Sequence, residues 1–344
     1  MIRSITIEDF FTIPDAPVLL DVRTPDEYKH GHVPGARNLP LFSNEERVQV
    51  GTTYKQVGRE QAILLGFDLT GPKWSGFIQQ ALEIAPDKKV AVHCWRGGMR
   101  SGAMAWALDL YGFEVHLIKG GYKAYRKWVH QQFELPYNLV VLSGKTGSGK
   151  TRLLQAIRAQ GEQVIDLEDL AQHQGSSYGS MNQMVQPTQE QFENIFAAQL
   201  ESLNKETRTW VEDESLNIGK RFIPRPFWQQ MREATLIDLQ VPMELRIDLL
   251  EDEYGPLDKN FLVACTERIQ KRLGPEQTKF AIAAILDDRM RDFVRQVLMY
   301  YDKTYKTGLA TRNNRNIFPL ELNNNNIAEN AAIILSYMNR LPAQ

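Results

Sequence analysis

The sequence predicts an α/β protein with two successive parallel-sheet domains and a mostly helical C-terminal part. Apolar runs typical of buried strands alternate with helical patterns in the first third of the chain. A further strand, a glycine-rich loop and a helix follow at 138–157, and a length of 344 residues exceeds one ordinary core. We therefore expect a first domain at 1–135, the core of a second at 136–240 and, at 241–344, a mostly helical region that could pack on the second domain.

The alternation of strand and helix patterns in the first domain indicates a parallel sheet covered on both faces. In chain order the expected elements are a strand at 18–22, a strand at 36–39, a helical stretch at 44–66, a helix at 73–85, a strand at 89–92, a helix at 101–112 and a strand, turn and helix at 113–133. Sites in such sheets lie at the carboxyl ends of strands, which is where Cys94 falls.

The segment HCWRGGMRS, at 93–101, is the first candidate site. Cys94 ends an apolar run and precedes a tight loop and a helix, an order that directs backbone N–H groups at an anion. The same field lowers a cysteine pKa from about 8.5 and favours the nucleophilic thiolate. We predict Cys94 as catalytic and Arg96, Gly97, Gly98 and Arg100 as anion-binding. An inert core cysteine does not explain paired glycines between arginines.

Composition narrows the classes of protein. The net charge of −2 and the pI near 6.3 exclude a surface that is positively charged overall. Any nucleic acid must therefore bind at local basic patches. The amino terminus lacks a secretory signal, and no window approaches the roughly 18 apolar residues of a membrane span, so we expect a cytoplasmic protein. Two cysteines make no disulfide framework; both should be reduced, with Cys265 a packing residue.

Four motifs of the first domain resemble the rhodanese domain. They are Asp21-Val22-Arg23 with Glu27, the GHVPGA segment at 31–36, the Cys94 loop, and Gly120-Gly121-Tyr122. The resemblance implies a rhodanese-like sheet in which Cys94 stands where the family carries sulfur as a persulfide. The loop to Arg100 is one residue longer than the usual single-domain loop and also fits the Cys-five-residues-Arg pattern of tyrosine phosphatases. A wider cradle suits a phosphate-sized anion.

The second domain opens on a Walker A loop between an apolar strand and a helix. Its glycines, Gly144, Gly147 and Gly149, let backbone N–H groups wrap phosphate oxygens, so the fold is expected to be P-loop NTPase-like. Lys150 neutralises the phosphates, and the Thr151 hydroxyl can ligate Mg²⁺. These five residues are the predicted diphosphate site.

Acidic residues follow two later apolar runs. Asp213 is our leading choice to hold Mg²⁺ together with Thr151, although the sequence does not rank the three adjacent acids Glu212, Asp213 and Glu214. Asp166 and Glu168 end another run, and alternate positions of a strand face the same side, so the two could share a site. A solvated strand end is the alternative for this pair.

A basic stretch without acids lies at 219–232. Lys220, Arg221 and Arg225 alternate there with aromatic residues, a combination that suits phosphates beside unpaired bases and predicts tRNA binding. A basic loop over a core helix is the alternative. A second basic and aromatic stretch lies at 300–315.

The whole chain resembles the tRNA 2-selenouridine synthases, a rhodanese domain fused to a P-loop domain. Besides the two loops, four segments carry this resemblance: VGTTYKQVGREQAILLG at 50–66, DLEDLAQHQGSSYG at 166–179, QPTQEQFEN at 186–194 and VEDESLNIG at 211–219. The resemblance implies replacement of sulfur by selenium at C2 of wobble 2-thiouridine in tRNA, with selenophosphate as donor. It also implies transfer of a geranyl group from geranyl diphosphate to that sulfur.

Roles for the two loops follow from the resemblance. Cys94, Arg96 and Arg100 would receive selenophosphate or its selenium, and Lys150 and Thr151 would bind the diphosphate with Mg²⁺ as a candidate ion. No tightly bound cofactor is expected; geranyl diphosphate and selenophosphate would be co-substrates, and tRNA and the selenophosphate donor system the partners. An ATP-dependent tRNA sulfurtransferase and a rhodanese-type phosphatase stay open as alternatives, as does a covalent perselenide on Cys94.

Overall fold

The computed structural model describes residues 2–173, 185–309 and 316–341 and divides into two compact units. Unit 1 comprises Met1–Phe133 and Thr188–Glu201, and unit 2 comprises Glu134–Pro187 and Ser202–Gln344. Part of the expected second basic stretch, 310–315, and part of the resemblance segment at 166–179, from 174 onwards, lie outside the described residues. The predicted boundary at 135 falls two residues beyond the end of the first segment of unit 1.

Unit 1 contains a parallel sheet with the order β1-β5-β4-β2-β3, which confirms the predicted fold class. Its strands are β1 (Ile2–Ile5), β2 (Val18–Asp21), β3 (Arg37–Asn38), β4 (Lys89–His93) and β5 (Glu114–Ile118). The central strands β4 and β2 are apolar along most of their length, and Leu20, Val90 and Val92 are fully buried. Burial on both faces accounts for these continuous apolar runs.

Helices cover this sheet. They are α1 (Ile7–Phe11), α2 (Pro25–His30), α3 (Asn44–Gln56), α4 (Arg59–Thr70), α5 (Trp74–Ile84), α6 (Met99–Tyr111) and α7 (Gly121–Gln132). The helical stretch expected at 44–66 is two helices, because Gly58 adopts a φ of 145° between them. Ser43 and Glu46 form a capping box that starts α3. The result is a helical hairpin inserted between β3 and α5.

Unit 2 contains a second parallel sheet with the order β12-β11-β6-β8-β7, beside a short antiparallel hairpin. The strands are β6 (Leu139–Gly144), β7 (Gln163–Ile165), β8 (Thr209–Glu212), the hairpin strands β9 (Asn217–Ile218) and β10 (Arg221–Phe222), β11 (Thr235–Gln240) and β12 (Ile317–Glu321). The predicted glycine-rich loop leaves the carboxyl end of the central strand β6, as a P-loop-like domain requires.

The remaining helices are, in chain order, α8 (Lys150–Ala159), α9 (Leu167–Ala171), α10 (Gln189–Glu201), α11 (Arg225–Glu233), α12 (Met243–Tyr254), α13 (Lys259–Arg268), α14 (Gln270–Leu273), α15 (Pro275–Leu286), α16 (Met290–Leu309) and α17 (Ile327–Met338). Apolar residues from α12 to α16 form a core of their own that contains Cys265, so its predicted packing role is confirmed. No helix of the described residues is both long and apolar enough to cross a membrane.

Strand β12 and helix α10 lie outside their expected regions. The predicted helical region at 241–344 includes β12, which pairs with β11, and α17, whose Ile334 shares a core with Leu154 of α8. Both therefore complete the second sheet domain. Conversely, α10 belongs to unit 1, although the chain on either side of it belongs to unit 2.

Candidate functional site

The thiol of Cys94 lies directly after β4 and is held by donors of the loop. The Ser101 hydroxyl donates to its Sγ over 3.2 Å, and the backbone N–H groups of Ser101, Arg96 and Gly98 favour the charged form of the sulfur. Burial to 4% exposure raises the pKa of the thiol, but these donors outweigh it, so the pKa of Cys94 lies below its usual range. The loop therefore favours a thiolate, as predicted from the sequence.

Of the two glycines in this loop, Gly97 and Gly98, close packing requires only Gly97. A Cβ on Gly97 would lie 2.7 Å from the Ile118 carbonyl oxygen, and one on Gly121 would lie 2.3 Å from the Cys94 carbonyl oxygen. Both have positive φ, and the two turns pack backbone against backbone. Gly97 is thus required by packing, whereas space is open at Gly98, the residue before α6.

The two arginines of the loop also differ. Arg100 donates to both carboxylate oxygens of Glu27, over 2.6 and 3.2 Å, whereas Arg96 is exposed. Burial of the Glu27 carboxylate raises its pKa, but its hydrogen bonds and its charge interaction with Arg100 lower the pKa by a larger amount. The pKa of Glu27 therefore lies below its usual range. Against the expectation of two free cations around the anion, the charge of Arg100 is balanced by a carboxylate, and Arg96 is the more available group.

A buried polar network lies beneath the loop and was not predicted. Arg23 donates to Asp21 and to the Gly31 carbonyl oxygen, and its guanidinium lies 3.6 Å from the centre of the Tyr122 ring. The backbone N–H of Tyr122 donates to the Cys94 carbonyl oxygen over 2.8 Å. Removing one partner of such a buried ion pair costs about 3–5 kcal/mol, so this network fixes the loop.

Helix α10 completes the network. The Tyr122 hydroxyl donates to Glu190 over 2.9 Å and accepts from the Asn194 amide over 2.7 Å. Arg126 of α7 donates to the Asn194 side-chain oxygen over 2.6 Å and forms an ion pair with Glu193. The QEQFEN part of the resemblance segment, at 189–194, therefore supports the thiol loop through Tyr122.

The Walker loop of unit 2 has the predicted strand and helix on its two sides. Gly147 and Gly149 have φ values of 79° and 76°, which favour glycine. Lys150 begins α8, and its ammonium donates to the Gly144 carbonyl oxygen over 3.1 Å. With the N-terminus of α8 at the same point, the loop can hold a diphosphate.

The C-terminal helices hold this loop in place. Arg246 of α12 is buried, donates to the Thr146 carbonyl oxygen over 3.0 Å and makes two hydrogen bonds of 2.8 Å to Asp302. A Cβ on Gly147 would approach the Arg246 carbonyl oxygen to 3.0 Å. Sequence reasoning missed Arg246, because only tertiary packing brings it to the loop.

The structure corrects the predicted acids. Carboxylate oxygens of Glu168, Glu212 and Glu214 lie within 4.8 Å of one another, and Glu168 accepts from the Thr151 hydroxyl over 3.2 Å. Asp213 is not part of this cluster; it accepts from the Ser143 hydroxyl over 2.6 Å. Successive side chains of an extended chain point to opposite sides, so 212 and 214 lie on one side and 213 on the other. This alternation could have shown from the sequence that Asp213 is separated from its neighbours.

Asp166 and Glu168 do not share a strand face. Strand β7 ends at Ile165, and Asp166 caps α9 by accepting from the Asp169 backbone N–H over 3.0 Å. Glu168 lies in the first turn of that helix and reaches the cluster from there. Asp166 therefore caps a helix and does not share a strand face with Glu168, although the charges of both residues raise the pKa of Glu212.

The carboxylate cluster carries more protons than isolated carboxylates would. Burial and the negative charge of Glu168 raise the pKa of Glu214 to about 8, and the same causes raise the pKa of Glu212 well above its usual range. Glu212 is fully buried, and its Oε2 has no hydrogen-bond partner among the described residues. Clustered hard oxygens with one unsatisfied atom fit a divalent cation such as Mg²⁺.

The predicted basic stretch forms the hairpin of β9 and β10 and the start of α11. Lys220 is exposed at the hairpin turn, and Arg225 is exposed as the first residue of α11. Arg221 is half-buried on β10. Two of the three predicted cations therefore face solvent.

Comparison with known proteins matches both units. Residues 137–330 match the family described as tRNA 2-selenouridine synthase AAA domain, and residues 12–128 match the rhodanese-like domain. The tRNA 2-selenouridine synthase of Nitrosomonas europaea is 40% identical over 251 residues, 70% of this chain and 64% of that protein. That of Sulfurovum sp. is 37% identical over 80% of each chain. That of Shewanella denitrificans is 35% identical over 87% of this chain and 90% of that protein. The chain thus spans slightly under two thirds of the Nitrosomonas relative.

Proposed function

Because the chain belongs to the tRNA 2-selenouridine synthase family, we propose that it replaces sulfur by selenium at C2 of wobble 2-thiouridine in tRNA. The observation that carries this proposal is the Cys94 sulfur, which follows β4, accepts a hydrogen bond from Ser101 and has a lowered pKa, in a chain that also has a Walker loop. The reaction is a group transfer in two steps, one at each loop.

The first step is S-geranylation at the Walker loop. The C1–O bond of geranyl diphosphate breaks, a bond forms between C1 and the thiocarbonyl sulfur, and the N3 proton of the base passes to the departing diphosphate. Lys150 and the backbone N–H groups of the loop bind that leaving group. Alkylation turns a poor leaving group, a thiocarbonyl sulfur, into a thiol that can depart.

Glu168, Glu212 and Glu214 are the residues we propose to hold a divalent cation beside Thr151. Their support is the shared approach of their oxygens and the unsatisfied Oε2 of Glu212. When bound, Mg²⁺ neutralises charge on a diphosphate.

The second step is selenation at the Cys94 loop. The selenium of hydrogen selenophosphate forms a bond to C2, the C2–S bond breaks, and the geranyl thiolate leaves with a proton. Water then attacks phosphorus, which releases hydrogen phosphate and leaves the C2 selenocarbonyl with a proton on N3. Selenium in selenophosphate is already at the selenide level, so a perselenide on Cys94 would require an oxidant that neither substrate supplies.

Cys94 is proposed as the proton donor to the departing geranyl thiolate. With its pKa lowered, the Cys94 thiolate takes the proton of hydrogen selenophosphate as selenium attacks C2, and it then passes that proton to the departing geranyl thiolate. Exposed Arg96 and the N–H groups at the start of α6 would bind the selenophosphate oxygens.

The test uses purified protein and an anticodon stem-loop with 2-thiouridine at the wobble position. With geranyl diphosphate and selenophosphate together, nucleoside mass spectrometry should find 2-selenouridine; with geranyl diphosphate alone, it should find S-geranyl-2-thiouridine. Conversion that requires ATP and proceeds without geranyl diphosphate would contradict the proposal and favour an ATP-dependent sulfurtransferase.

Mg²⁺ is expected to stabilise the protein against heat, more strongly at pH 8.5 than at pH 6. The raised pKa of Glu214, about 8, means that its contribution to stability is present below its ordinary value of 4.5 and is lost as pH rises through 8. A cation replaces the lost protons. At ten times its Kd it contributes about 1.4 kcal/mol, or about 3–6 °C in the unfolding temperature of a domain of this size.

Differential scanning fluorimetry with and without MgCl₂ measures this effect. Glu212→Gln should remove the Mg²⁺ shift, and Asp213→Asn should retain it. The reverse pattern would return the metal to the originally predicted Asp213.

Charge reversal of Lys220 and Arg225 together is expected to weaken tRNA binding. Each lost phosphate contact reduces the slope of log K against log salt by about 1, so the double variant should lose about 2. Fluorescence anisotropy over a salt series measures both affinity and slope. Lys205→Glu with Lys271→Glu, at exposed positions and with the same change in net charge, is the matched control. Equal weakening by both pairs would assign the effect to net charge alone.

A further inference from the structure

A cavity of about 860 Å³ lies in unit 1 between the α3–α4 hairpin and the start of α6. Its volume is within the range of about 300–1,000 Å³ of small-molecule sites. Four large apolar residues of its lining are more than half exposed: Val48, Tyr54, Phe67 and Met99. Clustered apolar surface of this kind marks a binding site, because leaving it in water is unfavourable.

The cavity adjoins the thiol loop. Met99 and Arg100, the first residues of α6, belong to its lining, and the next residue, Ser101, donates to the Cys94 sulfur over 3.2 Å. A molecule bound in the cavity would therefore lie beside the first turn of α6, which directly follows the thiol loop.

Charge in the cavity indicates what kind of molecule it takes. Among the described residues that line it, Arg47 and Lys55 are basic, Arg100 is paired with Glu27, and none is acidic. An apolar interior with basic residues suits an apolar chain attached to an anion. A nucleic acid that carries a prenyl group has this chemistry, and a neutral apolar partner does not use the charges.

We propose that this cavity binds the geranyl chain of S-geranylated wobble uridine during selenation. The inference rests on the proposed function and adds to it a second prenyl site, separate from the Walker loop that forms the substrate. The hairpin that builds the cavity is the segment at 44–70, which includes the VGTTYKQVGREQAILLG stretch that neither loop had explained.

A chain-binding cavity also explains how the selenation step distinguishes its substrate. Unmodified 2-thiouridine would leave the apolar walls exposed to water, whereas each methylene group that becomes buried strengthens binding about fourfold. The geranyl thiol product, once cleaved from C2, would lose its link to the anion and dissociate.

The test compares Val48→Asp with Val57→Asp. The two valines are 66% and 67% exposed, Val48 within α3 and Val57 directly after it, but of the two only Val48 lines the cavity. Stem-loops with S-geranyl- or S-methyl-2-thiouridine are selenated with selenophosphate, and KM and kcat are measured by nucleoside mass spectrometry. Val48→Asp should raise KM for the geranyl substrate about 15-fold, the loss of two buried methylene groups, and leave the methyl substrate unchanged. Val57→Asp should change neither.

Equal effects of Val48→Asp on the two substrates, equal effects of the two variants, or no effect would overturn the inference. A separate binding measurement keeps it distinct from the proposed function. The nucleoside S-geranyl-2-thiouridine should bind the wild-type protein in calorimetry, and Val48→Asp should weaken that binding. If the wild type binds the nucleoside but does not selenate the stem-loop, the proposed function is refuted and the cavity inference stands. If it selenates the stem-loop but does not bind the nucleoside, the cavity inference is refuted and the proposed function stands.

Discussion

Cys94→Ser is expected to abolish 2-selenouridine formation and to leave S-geranylation at the wild-type rate. A serine hydroxyl has too high a pKa to take the proton of hydrogen selenophosphate and pass it to the departing geranyl thiolate, whereas the pKa of the Cys94 thiol is lowered by its surroundings. Loss of a general acid reduces a rate by about 10²–10⁴-fold. S-geranyl-2-thiouridine should accumulate, which nucleoside mass spectrometry detects.

Cys265→Ala is the control for loss of a thiol. Cys265 is buried in the core of α12 to α16, away from both loops in the chain, and the control should retain both steps once its unfolding temperature has been checked. Normal selenation by Cys94→Ser would remove Cys94 from the reaction. A selenium adduct on wild-type Cys94 in intact-protein mass spectrometry would replace the proton-donor role with a perselenide.

The strands and the two loops were predictable because their signals are local. Apolar runs, glycines with positive φ and the position of Cys94 after β4 all depend on a few adjacent residues. The positions of β12 and α17 were not predictable, because a parallel partner strand can come from anywhere later in the chain. Whether a helical pattern belongs to a bundle or a sheet domain depends on which surface it covers.

The candidate site was predicted less completely than the fold for the same reason. Arg100 and Glu27 are both conspicuous in the sequence, but that they neutralise each other follows only from folding. The prediction of the metal-binding carboxylates was wrong for a different reason. Asp213 was chosen among three adjacent acids, whereas alternation along the chain favours its neighbours Glu212 and Glu214. The sequence of helix α10 does not show which compact unit it joins, because its contacts with Tyr122 connect residues far apart in the chain.

Lys150→Ala is expected to lower the rate of S-geranylation about 10²–10³-fold. This is the usual loss when one group that stabilises developing charge on a leaving group is removed. Lys150 begins α8 and lies against the Gly144 carbonyl oxygen, so its charge is held within the loop that would bind the diphosphate. With 2-thiouridine stem-loops as substrate, neither S-geranyl-2-thiouridine nor 2-selenouridine should form.

The same variant separates the two loops when it is given the intermediate. A synthetic stem-loop with S-geranyl-2-thiouridine should be selenated by Lys150→Ala as fast as by the wild type, because the Cys94 loop belongs to a different compact unit. Lys205→Ala, at an exposed lysine of unit 2, should be normal with both substrates. Loss of selenation from the preformed intermediate would show that the Walker loop acts in both steps. Unimpaired geranylation with weakened ATP binding would assign that loop to a nucleotide.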